Sequence, residues 1–260
     1  MRLMIFGLGY VGRAVARMAG QGGTVALAEA THLLVTAPPG EQGDPLIAGV
    51  GIDALAAAPS LRWVGYLSTT GVYGDRDGGW VDEATPPAPT SDRSRRRLTA
   101  EAAWCRLADR RGVDIFRLAG IYGPGRSVFD DLRAGRARRI IKPGHAFGRI
   151  HRDDIARAVC AAMAQRREAG TRVFNLADDE PAESGAVIAE AARLLGVPAP
   201  PEVPFATVWA SMSPMARSFW AENRKVSSRA TQAALGIAWL YPTYREGLAR
   251  ILQCGAGRLV

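Results

Sequence analysis

The sequence predicts an α/β protein built on a doubly wound parallel sheet with helices on both faces. Apolar runs alternate with helical spacings through the first part of the chain, as in parallel strands joined by helices. The first run leads directly into glycines at G-x-G-x-x-G spacing, and the chain from Glu183 onward is mostly helical. We therefore expect a Rossmann-type domain over residues 1–180, with segments of a second lobe interleaved after residue 120, and a small, mostly helical lobe over 181–260.

The glycine motif begins at the end of the first apolar run, Leu3–Phe6. Such a run is typical of a central parallel strand that is buried on both faces. Four apolar residues behind the motif lie at helical spacing: Val11, Ala14, Val15 and Met18. Gly7 would permit the tight turn, Gly9 would let a pyrophosphate approach the backbone, and Gly12 would let helix and strand pack closely. Strand, glycine turn and helix in this order predict a site for NAD or NADP at the helix N-terminus.

The later elements follow the same alternation. Four further strands are expected: Thr31–Ala37, Trp63–Leu67, Asp114–Leu118 and Arg172–Asp178. Helical spacing is carried first by Leu46, Ile47, Val50 and Leu55, and later by a helix over Arg93–Ala108 with Leu98, Ala102 and Cys105 along one face. Ligands bind at the carboxyl ends of such strands. The residues expected to contact the cofactor are therefore Gly7, Gly9, Tyr10, Val11, Gly12, Thr36, Ala37, Pro38, Leu67, Ser68 and Leu118.

The composition argues against a nucleic-acid-binding protein and against a membrane protein. The 260 residues carry a net charge of +8, but the arginines are spread along the chain, and Lys142 and Lys225 are the only lysines. The sequence has neither a basic stripe with interleaved aromatic residues nor a known nucleic-acid module. Glycines interrupt the apolar N-terminus, so we expect neither a signal peptide nor a membrane span, and a cytoplasmic location. The positive charge suits a cleft for an anionic small-molecule substrate.

Neither cysteine nor histidine suggests a metal or disulfide site. Three widely spaced cysteines, Cys105, Cys160 and Cys254, are expected to be reduced thiols packed as small apolar groups. Metal-ligand spacing is likewise missing from the three histidines, His32, His145 and His151. His151, which is followed by Asp153 and Asp154, is interpreted as a helix cap because no nucleophile elbow accompanies it.

Four groups of residues stand in an order and at spacings that one family shares: Ser68–Gly74, Arg117–Leu118 with Ile121–Gly125, Arg149–His151 with Asp154, and Asn175 with Asp178. Through them nearly the whole chain resembles the extended short-chain dehydrogenase/reductases, the NAD-dependent epimerase/dehydratase group. It looks most like atypical bacterial members that start G-L-G-Y and lack part of the catalytic set. Gly7–Gly12 also resembles UDP-glucose dehydrogenases, but that likeness ends after the motif. The family resemblance implies NAD(P) and a hydroxyl-bearing substrate, for many members a nucleotide sugar.

The family's chemistry uses a Ser or Thr, a Tyr and a Lys, and the resemblance places Thr69 at the hydroxyl position. Aligning Glu101 with the acidic residue that follows the family's Y-x-x-x-K by four puts Arg93 at the tyrosine and Arg97 at the lysine. Because arginine stays charged and only donates, Arg93 cannot perform the general acid/base step. Arg93 could clamp a carboxylate or phosphate and Arg97 could reach ribose hydroxyls, or both could belong to a solvated helix face. Tyr73 is the nearby phenol that could stand in as a proton carrier, although the family packs this tyrosine beside the substrate.

The segment between the first helix and the second strand is shorter than in the family. Where the family has a strand, a helix and another strand, only residues 20–30 are available. One interpretation makes Thr24–Ala28 a short strand with Glu29 bound to the adenosine ribose. The other, which we favour, makes Val25–Ala30 the tail of a helix and omits the second and third strands, because a parallel crossover needs about a dozen residues. Leu3–Phe6 would then be an apolar edge strand, which another segment or a second subunit should cover.

Two classes of function remain open at this point. The first is an NAD(P)-dependent oxidoreductase or epimerase-like enzyme acting on an anionic, hydroxyl-bearing, nucleotide-sugar-like substrate. Thr69 and the retained motifs of the second lobe favour it. The second is a non-catalytic NAD(P)-binding or sensing protein on the same fold, which Arg93, Arg97 and the shortened N-terminal half favour. For either class the expected partners are a small molecule and, through the edge strand, a second copy in a homo-oligomer.

Overall fold

A five-stranded parallel sheet lies at the centre of the computed structural model, which describes residues 1–20, 25–165 and 168–256. In spatial order its strands are β1 (Leu3–Phe6), β2 (His32–Val35), β3 (Trp63–Thr69), β5 (Gly112–Leu118) and β9 (Gly170–Leu176). Six short strands form three parallel pairs: β4 (Trp80–Val81) with β11 (Lys225–Val226), β6 (Gly120–Tyr122) with β8 (Arg149–His151), and β7 (Arg139–Ile141) with β10 (Glu202–Pro204).

Helices cover both faces of the central sheet. They are α1 (Tyr10–Met18), α2 (Pro45–Val50), α3 (Ile52–Ala57), α4 (Asp92–Cys105), α5 (Val128–Arg133), α6 (Arg152–Ala164), α7 (Ser184–Leu195), α8 (Phe205–Val208), α9 (Pro214–Trp220), α10 (Arg229–Leu235) and α11 (Tyr244–Ala256). Apolar residues of α1 and α6 form one core cluster, and those of α2, α3 and α4 form another. Successive residues of β1 join alternate clusters, because neighbouring side chains of a strand point to opposite faces. The doubly wound fold class is therefore confirmed.

The shortened N-terminal half leaves β1 at the edge of the sheet. Among the described residues β1 pairs only with β2, whereas a complete doubly wound sheet has further strands on its other side. In the described part of the chain the family's second and third strands are thus absent, as the length of the segment predicts. The first expectation for Leu3–Phe6, a central strand buried on both faces, is wrong: Leu3 is buried, but Met4, Ile5 and Phe6 are only half-buried.

Residues 25–30 form neither the short strand of one interpretation nor the helix tail of the other. Leu27–Glu29 form a turn in which the Ala30 amide donates to the carbonyls of Ala26 and Leu27, so the expected helix tail is absent. No strand lies in residues 25–30 either, while Thr24 falls outside the described residues. The Glu29 carbonyl accepts a hydrogen bond from Arg2 Nε at 2.5 Å, which places Glu29 at the amino end of β1. The glycine loop follows the carboxyl end of β1. Glu29 therefore lies at the opposite end of the strand from the position expected for a dinucleotide's ribose.

Two helices differ from their sequence predictions. The apolar spacing from Leu46 to Leu55 is divided between α2 and α3, because Gly51 with φ of 85° separates them. The helix α4 buries Glu101 and Trp104, whereas Ala102 on the expected apolar face is exposed. Polar contacts set this rotation: Glu101 pairs with Arg117 of β5, and the Trp104 indole donates to Asp44 at 3.0 Å.

The second lobe is assembled from distant segments. The pairing of β7 with β10 and of β4 with β11 brings residues after 200 beside residues 139–141 and 80–81. Helices α5, α7 and α11 share an apolar cluster that includes Phe129, Tyr244 and Leu248. Among the described residues, no helix combines the length and apolarity needed to cross a membrane.

We predict that Gly12→Ala lowers the free energy of unfolding by about 1–3 kcal/mol, because its new methyl group would overpack the contact between α1 and the preceding loop. A Cβ at Gly12 would lie 2.5 Å from the Gly7 carbonyl oxygen, a backbone atom that cannot move aside. Gly9→Ala is the matched control, since a Cβ there meets nothing within 4 Å. Urea unfolding of both variants checks this, and an equal loss in the two would contradict it.

Candidate cofactor and substrate site

A cavity of about 540 Å³ opens at the carboxyl ends of the central strands. Gly9, Tyr10 and Val11 line it from the glycine loop and the first turn of α1. The ends of β3 and β5 and the helix α4 contribute a second part, and residues 119–122, Arg126 and residues after 145 contribute a third. The cavity thus lies where an open α/β sheet binds ligands.

The glycine loop fits a diphosphate. Gly9 is the N-cap of α1 and offers no side chain to its first amides, so these donors are open to a ligand. Gly7, with φ of 101°, makes the turn, and its carbonyl accepts hydrogen bonds from the Gly9 amide and the Thr36 hydroxyl. The space within 4 Å of a Cβ at Gly9 is empty, whereas Gly12 has backbone there. Gly7 therefore makes the turn and Gly12 permits close packing, as predicted, and the role of Gly9 toward a pyrophosphate stays a prediction.

Two arginines of α4 face this cavity. Arg97 Nη1 donates to the Leu67 carbonyl at 2.6 Å and to the Tyr66 hydroxyl at 3.2 Å, at the end of β3. The Arg93 guanidinium lies 5.9 Å from the Phe219 ring centroid. Within the described part of the chain, no carboxylate is in ion-pair distance of Arg93 or Arg97. Both guanidinium groups are therefore placed to bind an anionic ligand.

A buried polar chain runs beneath the cavity. Ser68 Oγ donates to Glu101 Oε1 at 2.5 Å, and Arg117 Nη2 donates to Glu101 Oε2 at 2.8 Å. The Arg117 guanidinium lies 4.8 Å from the centroid of the Tyr73 ring. Tyr73 in turn donates its hydroxyl to Asn175 Oδ1 at 2.8 Å. This chain joins β3, α4, β5 and β9 below the site.

The structure brings most of the sequence-predicted site residues together. Ten of them line the cavity: Gly9, Tyr10, Val11, Thr36, Leu67, Ser68, Thr69, Arg93, Arg97 and Leu118. Gly7 and Gly12 shape the loop from behind, and Ala37 and Pro38 follow Thr36 without lining the cavity. Tyr73 is fully buried and its hydroxyl is engaged by Asn175, so it does not reach the cavity. Tyr73 is therefore not placed to carry a proton to a ligand in the cavity. Thr69, in contrast, lines the cavity.

Residues of the second lobe complete the cavity, and the sequence did not single them out for it. They are Arg126, Arg149, Phe219, Glu222 and Arg224. With Arg93 and Arg97 they give the cavity five arginines against one carboxylate. Glu222 is itself paired with Arg224 at 2.6 Å. The lining is therefore strongly cationic. A general excess of arginine was the only feature of the sequence that pointed to it.

A second, more open cavity of about 580 Å³ adjoins the first. The two share the lining residues Ile121, Tyr122, Arg126 and Arg149. The second cavity adds two more arginines and two aspartates: Arg136, Arg138, Asp130 and Asp131. An elongated ligand could therefore extend from the first cavity into the second.

Tyrosines in the first cavity do not replace the family's acid/base group. Burial raises the pKa of both the Tyr10 and Tyr122 phenols above the ordinary value, and the Asp178 carboxylate raises that of Tyr122 further. Tyr10 donates its hydroxyl to the Pro124 carbonyl at 3.0 Å. Neither phenol releases a proton readily near neutral pH. The cavity therefore offers a ligand hydrogen-bond donors rather than a titrating tyrosine.

His151 has the structural role that the sequence predicts. Its Nδ1 accepts a hydrogen bond from the Asp153 amide at 3.2 Å, so it caps α6. Burial lowers the pKa of His151 to about 4, which keeps the ring neutral at physiological pH. Within the ranges that the structure describes, no three His, Cys, Asp or Glu side chains are grouped so that they could hold a metal ion.

Comparison with known proteins shows which proteins this chain resembles. No profile of a known protein family matches the chain. A solved structure of a functionally unknown conserved protein from Silicibacter pomeroyi DSS is 42% identical, with a TM-score of 0.88 over 98% of this chain and 99% of that one. The chain belongs to the family of that protein.

Other solved structures show the fold more widely. MoeE5 in complex with UDP-glucuronic acid and NAD is 19% identical, with a TM-score of 0.75 over the whole of both chains. Human epimerase family protein SDR39U1 with NADPH is 20% identical, with a TM-score of 0.78 over 97% of this chain and 99% of that one. The fold is therefore that of the NAD-dependent epimerase/dehydratases, the extended short-chain dehydrogenase/reductases.

The YeeZ protein of Escherichia coli K12 is a relative found by sequence similarity. It is 30% identical over 183 residues, which are 67% of this chain. The matched region spans 63% of YeeZ's own length.

We predict that Asp178→Asn stabilises the protein more at pH 8 than at pH 5. Burial raises the pKa of Asp178 to about 8, whereas an unfolded aspartate titrates near 3.9. Between these values the folded state keeps a proton that the unfolded chain has lost, so stability falls as the pH rises from about 4 to about 8. Urea unfolding should show the advantage of the variant growing by at least about 1 kcal/mol over this interval. Asp109→Asn, at an exposed position, controls for the loss of one charge, and a constant difference at both pH values would contradict the prediction.

Proposed function

We propose that the protein is an NAD(P)-dependent oxidoreductase of the epimerase/dehydratase type, acting on an anionic, hydroxyl-bearing substrate. One observation carries the proposal: a single cavity joins an open glycine loop at the start of α1 to Thr69 and to a cationic lining. When bound, the nicotinamide would supply hydride transfer. The protein's own residues would bind, orient and screen the reacting groups.

The cofactor would lie over the glycine loop. The first amides of α1 would receive the diphosphate at the open position of Gly9, and the nicotinamide end would point toward Thr69. The solved MoeE5 and SDR39U1 structures, which hold NAD and NADPH respectively, support this choice of cofactor. Since Glu29 lies at the amino end of β1, the ribose would lack the carboxylate that Glu29 was expected to supply. Losing such a pair of hydrogen bonds costs about 1.5–3 kcal/mol, so we expect affinity ten- to a hundredfold weaker than with it.

The substrate would carry negative charge. Five arginines line the cavity, and Arg93 in particular has no carboxylate partner within the described part of the chain. A nucleotide-sugar-like molecule suits this charge and the length of the two adjoining cavities, and MoeE5 was solved with UDP-glucuronic acid. Thr69 would donate its hydroxyl to the reacting oxygen, while its Oγ1 accepts the Gly71 amide at 3.1 Å. Arg93 would hold an anionic group of the substrate, and Arg97 would donate to the cofactor's ribose.

A second candidate function is non-catalytic binding or sensing of NAD(P). Two features favour it: the cavity-lining residues Arg93 and Arg97, which the resemblance aligns with the family's Tyr and Lys, and the raised pKa values of the Tyr10 and Tyr122 phenols. Such a protein would still bind the dinucleotide at the glycine loop. The two candidates differ only in turnover.

We predict that Gly9→Val abolishes NAD(P) binding and leaves the fold intact. The backbone of Gly9, with φ of −77°, is open to other residues, and the added side chain would occupy the space of the diphosphate. Calorimetric titration with NAD and with NADP measures the loss, and circular dichroism verifies folding. Undiminished affinity in Gly9→Val would reject the proposed cofactor site.

We predict that Thr69→Ala and Arg93→Ala have different kinetic effects once a substrate is found. Thr69→Ala should lower kcat by about tenfold or more, because a donor to the reacting oxygen is lost. Arg93→Ala should chiefly raise KM, because an arginine that only binds an anion contributes equally to ground state and transition state. If Arg93→Ala shifted the pH optimum instead, Arg93 would be acting through a titrating group and its assigned role would be wrong. Absence of turnover with undiminished NAD(P) binding would favour the sensing function.

A further inference from the structure

Two serines at the start of α4, Ser91 and Ser94, also line the first cavity. Ser91 is the N-cap of the helix, and its Oγ accepts the Ser94 amide at 3.3 Å. Ser94 is only 6% exposed and lies on the same face of α4 as Glu101, two helical turns further along. The contact that anchors Glu101 to the sheet therefore also turns Ser94 toward the site.

The Ser94 hydroxyl lies close to that of Thr69, the residue that the proposed function places at the reacting oxygen. A Cβ at Gly71 would be 2.8 Å from Ser94 Oγ and 3.3 Å from Thr69 Oγ1, so both oxygens border Gly71. A side chain at this position would force the Ser94 oxygen to move. Glycine thus allows a hydroxyl of α4 to approach the hydroxyl at the end of β3.

Hydrogen bonds leave the protons of these two hydroxyls unused. Ser94 Oγ accepts a hydrogen bond from the Ser91 hydroxyl at 2.9 Å, and Thr69 Oγ1 accepts one from the Gly71 amide at 3.1 Å. A hydroxyl can accept and donate at the same time, so both protons remain free to be donated. In the part of the chain that the structure describes, neither proton has an acceptor. Because buried polar groups rarely remain unsatisfied, the acceptor is expected in the cavity.

The other hydroxyls and the carboxylate of the described lining are engaged within the protein. Each of the remaining hydroxyls donates to a backbone carbonyl or, for Ser68, to Glu101; they belong to Tyr10, Thr36, Ser68, Thr70, Tyr122 and Ser218. The Glu222 carboxylate accepts from Arg224 at 2.6 Å and from the Thr90 hydroxyl. Thr69 and Ser94 are thus the described lining residues whose hydroxyl protons are available to a ligand.

We propose that Ser94 is a second hydroxyl donor to the reacting oxygen and passes it a proton that Ser91 replaces. This role rests on the proposed function, and the group that reacts is a ketone or aldehyde carbonyl, or in reverse the corresponding alcohol. Two donors at one oxygen stabilise the negative charge that develops on it as hydride is transferred. Ser94 takes over, from the next position along the helix, the proton transfer that Arg93 cannot perform.

The step balances as the reduction of a carbonyl compound. The carbonyl carbon would form a C–H bond with the hydride that NAD(P)H gives up, and the π electron pair of the C=O bond would move onto oxygen. That oxygen would take the proton of Ser94, Ser94 would take that of Ser91, and Ser91, which is partly exposed, would take one from the solvent. The carbonyl compound is reduced to an alcohol and NAD(P)H is oxidised to NAD(P)+. One solvent proton is consumed, and both serines end as they began.

Alkylation of introduced thiols tests the placement of Ser94 without substrate or cofactor. Ser94→Cys is compared with Ser228→Cys, both in a Cys254→Ser background because Cys254 is exposed. Ser228 is buried like Ser94, but it does not line the cavity and its hydroxyl donates to the Ala177 carbonyl at 2.9 Å. Iodoacetate should modify Ser94→Cys at least about tenfold faster than Ser228→Cys, because a thiol reacts where the reagent can reach it. Circular dichroism verifies folding, and equal rates in the two folded variants would overturn the proposal whatever the activity.

Reduction of UDP-4-keto-6-deoxyglucose with NADH or NADPH tests the proton transfer. Ser94→Ala should lower kcat at least about tenfold with little change in KM, because a donor used in the transition state is lost. Ser91→Gly should lower kcat at least about threefold, since glycine is accepted at an N-cap but supplies no proton. Ser91→Thr should recover most of that loss, because it restores the hydroxyl. Thr99→Ala is the control on the same helix: its exposed hydroxyl donates to the Arg95 carbonyl, and its loss should leave kcat unchanged.

The outcomes separate the role of Ser94 from the proposed function. Turnover that is undiminished in Ser94→Ala would overturn the role of Ser94 and leave the proposed function standing. A loss in Ser94→Ala that Ser91→Gly does not share would overturn the proton supply through Ser91. If the unaltered chain binds NAD(P) but does not reduce the ketosugar, the proposed function and the role of Ser94 fall together.

Discussion

The buried ion pair between Glu101 and Arg117 is the interaction on which the site depends. Both side chains are 6% exposed, and Ser68 donates to the same carboxylate, so β3, α4 and β5 meet at one point. Removing one partner of such a pair costs about 3–5 kcal/mol, because the other charge stays buried without compensation. The pair also sets the rotation of α4. Residues four apart share a helix face, so anchoring Glu101 to the sheet turns Arg97 and then Arg93 toward the cavity.

The same pair explains why Tyr73 is retained without a catalytic position. Arg117 lies against its ring, and Asn175 accepts its hydroxyl proton in the hydrogen bond, so the phenol closes the polar chain between β5 and β9. The amide of Asn175 continues the chain to Thr231 Oγ1 at 2.8 Å, and the Thr231 hydroxyl donates to Glu83 Oε1 at 2.6 Å. A continuous chain of hydrogen bonds therefore ties the floor of the cavity to the second lobe. This scaffold includes neither Arg93 nor Arg97, the two residues that the resemblance aligns with the family's Tyr and Lys.

Local features of the sequence predicted the fold and the side of the cavity formed by the glycine loop and the strand ends. Contacts between distant segments of the chain could not be predicted in this way. The glycine loop and the strand ends at Thr36 and Ser68 follow from spacing alone. The missing strands follow from the length of residues 20–30 compared with the family that the chain resembles. The buried face of α4 was mispredicted because apolar periodicity takes no account of a buried charge pair, and Ala102 is exposed as a result. Arg126, Arg149 and Arg224 could not be found, because only the folding of the second lobe brings three distant segments to one cavity.

The excess of arginine in the cavity has a consequence for the empty protein. Like charges enclosed near one another repel, and Glu222 offsets only part of five guanidinium groups. The unliganded state therefore stores electrostatic free energy that any multivalent anion can release on entering. Stability and ligand content become linked quantities: an anion that binds only the folded chain raises the free energy of unfolding in proportion to the logarithm of its concentration. In a cytosol-like mixture of phosphorylated metabolites, the resting form of such a cavity would be an anion-filled one, and a substrate would enter by exchange rather than into vacant space.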